Sequence, residues 1–487
     1  EALDFVGRAG ASAQGVSELR QKLRLAEQAV VRPKKKETSL ATKRAAAAQK
    51  KRAKKRLKSG SVNGPSQERL DALMRAYQDG QFNEAEELSR AMTRDFPALQ
   101  FGWKVLGAVL QQSNRLEESL GPLRRAIEIA PDDAEAHFNL GNTFDELGSP
   151  SEARSAYEQA ITLNASFAEA HLNLGVTLAA LGEIGDAEES YKRAIAAKPE
   201  FANALLNLAG LLRDLDRLAE AEESYRRAIE VDGSSVDALY NLGNLLRDQG
   251  RLGEAEATYK SAVLLAPEFS RAHSNLGCVH YLLGQVEEAE ISCRKAIALD
   301  PHCAEAHSNL GLSLHALNKL DEAENSHSLA IVARPDYAEA HYNRAVTLRA
   351  LGRLEEAEDS HTRALELKPD YPGALVARSN IRYEAGQYEG ALSDLDACDT
   401  PEGRARALEM LHLLGRDEEI YERIANRRGL DDANIRMAAF SAFISHKLQR
   451  QTAHNFCNNP LSFLHISNLA AHLEHSEDFA RRLVDDL

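Results

Sequence analysis

Seven asparagines recur at one fixed interval: Asn139, Asn173, Asn207, Asn241, Asn275, Asn309 and Asn343. A primary amide carries two N–H donors and a carbonyl acceptor, the same groups that a peptide backbone presents at each unit. A row of such amides would hydrogen-bond an extended chain with little demand on its side chains. Asparagine is also a mediocre helix former, roughly 0.5 kcal/mol worse than alanine per site, so its sevenfold use at one position asks for a reason. Two readings compete: a ladder that grips a peptide or protein ligand, or a repeat residue bonding within or between copies.

Histidine recurs as well, at His137, His171, His273, His307 and His341. These fall one per copy, and zinc ligands must converge within about 2 Å of one ion, so packing is the expected role. The C-terminal His446, His454, His465, His472 and His475 form a looser group, and His472-Leu-Glu474 imitates part of a facial iron triad. That triad needs a second distant His on a strand framework, and no strands are expected here. Five cysteines (Cys278, Cys293, Cys303, Cys398, Cys457) show no paired framework and no CxxC, which points to a reducing compartment. No phosphate loop or nucleophile elbow is present. No catalytic residue, cofactor or metal is therefore expected, and the chain itself reads as a binding module.

The elements that would position the asparagines follow from a 34-residue repeat, written seven times over about 134–371. Places are numbered from Ala134, so the asparagines hold place 6. A small residue follows at place 8 (Gly141, Gly175, Ala209, Gly243, Gly277, Gly311, Ala345), with others at places 20 and 27, such as Ala153 and Ala160. Place 15 is glycine in five copies and Asp216 or Asn318 in the other two. Proline closes several copies, as at Pro131, Pro199 and Pro267. At 100° per residue, places 4, 7, 8 and 11 share one helix face. Place 6 lies about 150° from its centre, away from the neighbouring helices. A residue able to turn left-handed near place 15 ends the first helix, and the proline stops the second. One helical pair cannot bury its face, so copies must stack.

This pattern resembles the tetratricopeptide repeat (TPR) family over roughly Ser66 to Ala405. The small places are filled in nearly every copy, and Tyr157, Tyr191, Tyr225 and Tyr259 hold the family's aromatic place 24. The resemblance implies an all-α, right-handed TPR superhelix, an α-solenoid of about ten 34-residue helix-turn-helix repeats. The Asn row resembles the inner groove of O-linked N-acetylglucosamine transferases, which implies a peptide ligand in a concave groove. The phrase His454-Asn-Phe-Cys-Asn-Asn-Pro-Leu-Ser-Phe is similar to one in bacterial TPR proteins that continue into an iron/2-oxoglutarate oxygenase-like domain. The alternative to a free-standing scaffold is thus the substrate-recruiting arm of a larger glycosyltransferase or oxygenase.

Four regions are expected: 1–65, a basic tail and linker; 66–405, the array; 406–450, a degenerate helical repeat or cap; and 451–487, a C-terminal extension. Gly415 follows Gly386 by 29 residues, so an eleventh pair is shortened. Asn434–Leu448 reads as an amphipathic helix, and further helices are expected at about Ser17–Val31 and from Ser476. The net charge is −15, yet Arg32 to Lys58 alone carries about +12, leaving about −27 elsewhere. An acidic solenoid suits basic or neutral peptides better than nucleic acid. The tail reads either as a solvated basic leader with no specific partner, the favoured reading because no aromatic residue interleaves its charges, or as a segment for an anionic partner such as nucleic acid or a membrane. No apolar run approaches membrane-span length, and a cytoplasmic location is expected. The segment Arg32–Lys58 is too charged and too poor in apolar residues to build a core. Limited trypsin digestion is expected to cut there first and leave a fragment beginning near Ser66; protection of this segment would refute that reading.

Overall fold

The computed structural model describes residues 64–426, together with 437, 441, 443–445 and 447–450. The basic tail, the helices expected at 17–31 and from 476, His446, Cys457, and the histidines of 451–487 lie outside the described residues. The described chain is helical, with no strand, and runs as consecutive antiparallel pairs. It divides into two units, 1–163 and 164–487.

The first unit holds α1 (Gln67–Gln78), α2 (Phe82–Asp95), α3 (Gln100–Gln112), α4 (Leu116–Ile129), α5 (Ala134–Glu146) and α6 (Pro150–Leu163). The second continues as α7 (Ala168–Ala180), α8 (Ile184–Ala197), α9 (Ala202–Asp214), α10 (Leu218–Val231), α11 (Val236–Asp248) and α12 (Leu252–Leu265). Next come α13 (Ser270–Leu282), α14 (Val286–Leu299), α15 (Ala304–Ala316), α16 (Leu320–Ala333), α17 (Ala338–Ala350) and α18 (Leu354–Leu367). Last are α19 (Pro372–Glu384), α20 (Tyr388–Ala397), α21 (Pro401–Leu413) and α22 (Asp417–Asn426). Helix α21 runs through position 405, so the array passes without interruption into the shortened eleventh pair. Within 434–448, residues 437, 441, 443–445 and 447 are helical, and Met437 and Ile444 pack into the core made by α20 to α22.

Each pair closes through the residue at place 15. Gly148, Gly182, Gly250, Gly284, Gly352, Gly386 and Gly415 all have φ between 70° and 79°. Asp216 and Asn318, the two non-glycine residues at this place in the regular copies, adopt φ 59° as well, and Asn114 adopts 57°. Asparagine and aspartate are the residues that tolerate this left-handed turn best after glycine.

In the pairs with glycine at place 8, that glycine meets the side chain at place 24. A Cβ on Gly141 would lie 2.6 Å from Tyr157, one on Gly175 2.6 Å from Tyr191, and one on Gly243 2.7 Å from Tyr259. Cys293 and His327 replace the tyrosine opposite Gly277 and Gly311, each at 2.4 Å, and Leu123 meets Gly107 at 2.5 Å. The small residue thus admits a partner side chain into the space its own Cβ would fill. The alanines at places 20 and 27, including Ala153, Ala160, Ala187 and Ala194, are fully buried in the same seam.

Charges tie one copy to the next along the second helices. Arg217 at place 16 pairs with Glu188 in the preceding copy at 2.8 Å and with Glu220 in its own at 2.6 Å. Arg115, Arg251 and Lys319 likewise reach back to Glu86, Glu222 and Glu290. Exposed pairs of this kind contribute about 0–1 kcal/mol each. In the ninth and tenth pairs an arginine replaces the leucine of place 7. Arg344 meets Glu324 at 2.8 Å, and Arg378 meets the buried Asp394 at 2.5 Å with Arg382 alongside at 3.1 Å. A carboxylate buried as deeply as Asp394 requires such partners.

Two predictions follow from this packing. Gly243→Leu places a branched side chain where Tyr259 already sits and is expected to cost about 1–3 kcal/mol, read as lost hydrogen-exchange protection in α11 and α12; unchanged protection would sink the close-packing role. The second concerns the buried imidazoles at place 24. Burial holds His327 down at about 3 and His361 at about 4, with His315 and Arg344 opposing charge on the first and Arg378 and Arg349 on the second. Folded pKa values below the unfolded value near 6.5 mean that stability is full above pH 6.5 and is lost as pH falls. Each imidazole is expected to cost about 2 kcal/mol by pH 5. The ion-paired glutamates, such as Glu188 and Glu290, are lowered from 4.5 and titrate below this window. The melting temperature should therefore drop between pH 7 and 5, and His327→Tyr with His361→Tyr should flatten that drop. A parent protein whose melting temperature is level over this range would refute the assignment.

Candidate functional site

The asparagines sit on the first helix of each pair, and all seven are half-buried. Asn139 belongs to the first unit; the other six lie on α7, α9, α11, α13, α15 and α17 of the second. In that unit α9 packs on α11, α11 on α13, α13 on α15 and α15 on α17, while the second helices make no comparable contact with one another. First helices that touch their successors from α9 to α17 occupy the tighter side of the turn over that stretch. Place 6 therefore faces the surface that successive first helices share.

Geometry at 100° per residue put place 6 clear of its neighbours, and two of the amides depart from that. Asn275 Nδ2 donates to Asn244 Oδ1 at 2.7 Å and to Tyr240 Oη at 3.3 Å, both in the preceding copy. Asn309 Nδ2 donates to the Ser274 carbonyl at 3.3 Å and to its hydroxyl at 3.4 Å. These two link copies. The side-chain amides of Asn207, Asn241 and Asn343 make no hydrogen bond among the described residues. The row is thus divided between amides bonded to the preceding copy and amides without a hydrogen bond among the described residues.

Places 5, 9 and 12 complete this face. Place 12 carries Arg213, Arg247, Tyr281, His315 and Arg349 in successive copies from α9 to α17. Arg213 Nη2 donates to Asp214 at 2.8 Å and Arg247 Nη2 to Asp248 at 2.7 Å. Place 9 carries Asn142, Val176, Gly210, Asn244, Cys278, Leu312 and Val346. The hydroxyl of Tyr157 donates to Asn142 Oδ1 at 2.9 Å, and that of Tyr259 to Asn244 Oδ1 at 2.6 Å. The tip of the core tyrosine therefore reaches through to the first-helix face. Burial raises the Tyr259 phenol well above its ordinary value and raises Tyr225 as well.

The place-4 histidines hold the turns between copies, a role the sequence did not disclose. His171 Nε2 lies 3.1 Å from the Ala165 carbonyl, His273 3.0 Å from Pro267, His307 3.0 Å from Pro301 and His341 3.1 Å from Pro335. His137 makes the same contact with Pro131 at 3.2 Å, and Trp103 Nε1 donates to the Pro97 carbonyl at 3.0 Å. A carbonyl only accepts, so Nε2 carries the proton. The available signal was that His and Trp both present a ring N–H at one place. Burial lowers the pKa of His273 and His341, in keeping with neutral rings.

Among the described residues no group of three His, Cys, Asp or Glu could hold a metal ion. Cys278, Cys293, Cys303 and Cys398 are free thiols, and burial raises Cys278, Cys293 and Cys303. No helix among the described residues is long and apolar enough to cross a membrane.

Models of the tetratricopeptide repeat match residues 138–200, 200–268, 240–302, 304–325 and 338–371, and a TPR repeat model matches 107–148. The chain is a tetratricopeptide-repeat protein. Its all-helical, paired architecture is a TPR solenoid, and the matched residues end at 371, within the array. A search of curated proteins returned no match. Among solved structures, YrrB, described as a TPR protein with an unusual peptide-binding site, is 29% identical with a TM-score of 0.33, covering 39% of this chain and 98% of YrrB. A TPR protein from Parabacteroides merdae is 20% identical with a TM-score of 0.43, covering 50% of this chain and 98% of that one. Yeast Tom70 is 14% identical with a TM-score of 0.38, covering 72% of this chain and 95% of its own.

Proposed function

We propose that this protein is a protein-binding scaffold whose first-helix face, from α7 to α17, holds an extended peptide against its asparagine row. The observation that carries this reading is the state of three amides. Asn207, Asn241 and Asn343 are half-buried on the first-helix face, and no described residue takes up their donors and acceptors. A polar group partly withdrawn from water without a partner is a standing cost, and a peptide backbone offers the matching donor and acceptor. Arg213, Arg247, Tyr281 and His315 along the same face add side-chain contacts that could choose among sequences.

The division of the row sets the test. Replacing Asn207, Asn241 and Asn343 together by Ala removes amides that support no neighbouring copy. Thermal stability is expected to stay equal or rise, since Ala favours helix by roughly 0.5 kcal/mol per site. Capture of extended peptides on a random-sequence peptide array should weaken, each neutral hydrogen bond being worth about 0.5–1.5 kcal/mol. Replacing Asn275 and Asn309 removes bonds between copies and should lower stability instead. If the triple variant melted well below the parent and bound the array unchanged, the row would be structural and the proposal wrong.

A further inference from the structure

The three most exposed large apolar side chains among the described residues are Val332, Leu264 and Ile291, at 77%, 72% and 69%; the next, Leu282, is at 52%. They lie on three successive second helices, Leu264 on α12, Ile291 on α14 and Val332 on α16. Ile291 holds place 22, and Leu264 and Val332 hold place 29. Places 22, 26 and 29 are spaced i, i+4 and i+7, so they form one stripe along a helix. Leu329 at place 26 and the exposed Ala257 and Ala298 extend the stripe, and Lys295 is its one charge on these three helices. The helices to either side differ. The same places hold Glu223, Arg227 and Glu230 on α10, and Asp359, Arg363 and Glu366 on α18, all exposed.

Apolar side chains this exposed hold water against a surface that would release it on association. The patch measures roughly 500 Å² per copy, near the upper end of what a monomer exposes. Two such patches face to face would remove about 1,000 Å² from water, the size at which specific, weak association begins. Charge and curvature point to the occupant. The chain carries a net charge of −15, so two copies can meet only where charge is sparse, whereas a basic partner would be drawn to the acidic surface elsewhere. From α9 to α17 the second helices lie on the outer side of the turn and make no comparable contact with one another. Two outward-curving faces touch over a few helices and then diverge. Three nearly uncharged stripes bounded by charged ones are the width that such a contact uses.

We propose that the outer face of α12, α14 and α16 is a homodimer interface, on which a second copy of this chain seats the same stripe across a two-fold axis beside Ile291. Ile291 then meets its own counterpart at the centre, and Leu264 of each copy meets Leu329 and Val332 of the other. The first-helix face lies on the other side of each pair and stays open. The dimer therefore presents that face twice, and a target with two suitable segments would bind it more tightly than one face alone. The interface itself does not depend on what the first-helix face binds.

Sedimentation velocity on the full chain tests this. The parent is expected to show a monomer–dimer equilibrium with half-association near about 10 µM, as suits an interface of this size. Ile291→Glu, Ile291→Lys and Val332→Glu should each weaken association at least about tenfold. All three variants should melt with the parent, because the replaced side chains are exposed and hold no packing together. An equimolar mixture of the Ile291→Glu and Ile291→Lys proteins should recover the dimer, since a residue beside a two-fold axis faces itself and the mixture sets opposite charges there. A parent still monomeric at about 500 µM, far above any weak specific association, overturns the proposal and leaves the stripe to an unlike partner. A dimer that survives both Ile291→Glu and Val332→Glu lies elsewhere on the chain and overturns it as well. If the mixture stays monomeric, the two-fold placing of Ile291 is wrong.

Discussion

The solenoid rests first on one steric fit, seen in six of its pairs: the place-24 side chain seats in the space where a glycine at place 8 lacks a Cβ, while Ala209 and Ala345 keep a Cβ opposite the buried Tyr225 and His361. With separations of 2.4–2.7 Å to the glycine's Cβ position, a larger residue cannot share the site in those six pairs. The fit fixes the separation of the two helices in each pair, and so the placing of the face each copy offers its successor. Several side chains fill the seat: Tyr157, Tyr191 and Tyr259, and also Cys293, His327 and Leu123. What varies is the tip. A tyrosine long enough to cross the pair brings its hydroxyl out beside place 9, so a core residue writes part of the surface. Cysteine and histidine do not, and the imidazoles of His327 and His361 stay neutral and unpartnered within the core.

Because copies touch mainly their neighbours, the array's stability is a sum of pair and interface contributions rather than one shared core. The interface contributions differ in kind around the helices. On the second helices they are exposed ion pairs such as Arg217–Glu188, weak and sensitive to salt. On the first helices they are amide bonds such as Asn275–Asn244 and the packing of one first helix on the next. Between copies, the place-4 ring N–H fixes the connecting turn, at His171 and Ala165 for example. A single surface substitution therefore perturbs one joint, whereas a Cβ placed on a place-8 glycine that faces a tyrosine, such as Gly243, perturbs a pair and both its joints.

Much of this was legible in the sequence because it is imposed by local sterics. A 34-residue period, a small place 8 and a left-handed place 15 each follow from backbone geometry, and Asp216 and Asn318 take the glycine conformation as their residue types allow. The polar bonds were less legible, since they depend on register between helices that no single-helix projection contains. The projection gave the direction of place 6 on its own helix but not the reach of Asn275 and Asn309 to the copy before. It also grouped His137 and its equivalents with packing residues, because an imidazole's size is visible in the pattern and its hydrogen-bond partner six residues upstream is not.

Which amides are free is decided one copy earlier. Asn275 finds Tyr240 and Asn244 at places 5 and 9 of the preceding first helix, and Asn309 finds Ser274. Asn207 follows Leu172 and Val176, and Asn241 follows Leu206 and Gly210, none of which has a side-chain group to bond an amide. Ser308, before Asn343, is buried and engaged with Tyr337. An apolar place 5 and place 9 thus leave the following asparagine unused, and a glycine at place 9 does so while also leaving the buried phenol beneath it without a hydrogen-bond partner. Gly210 has both effects at once, on Asn241 ahead and on Tyr225 below. The free donors of the second unit gather around 202–248 for that reason. The same substitution costs the fold a helix-favouring residue and a hydrogen bond, and it gathers unsatisfied polar groups at one stretch of the row.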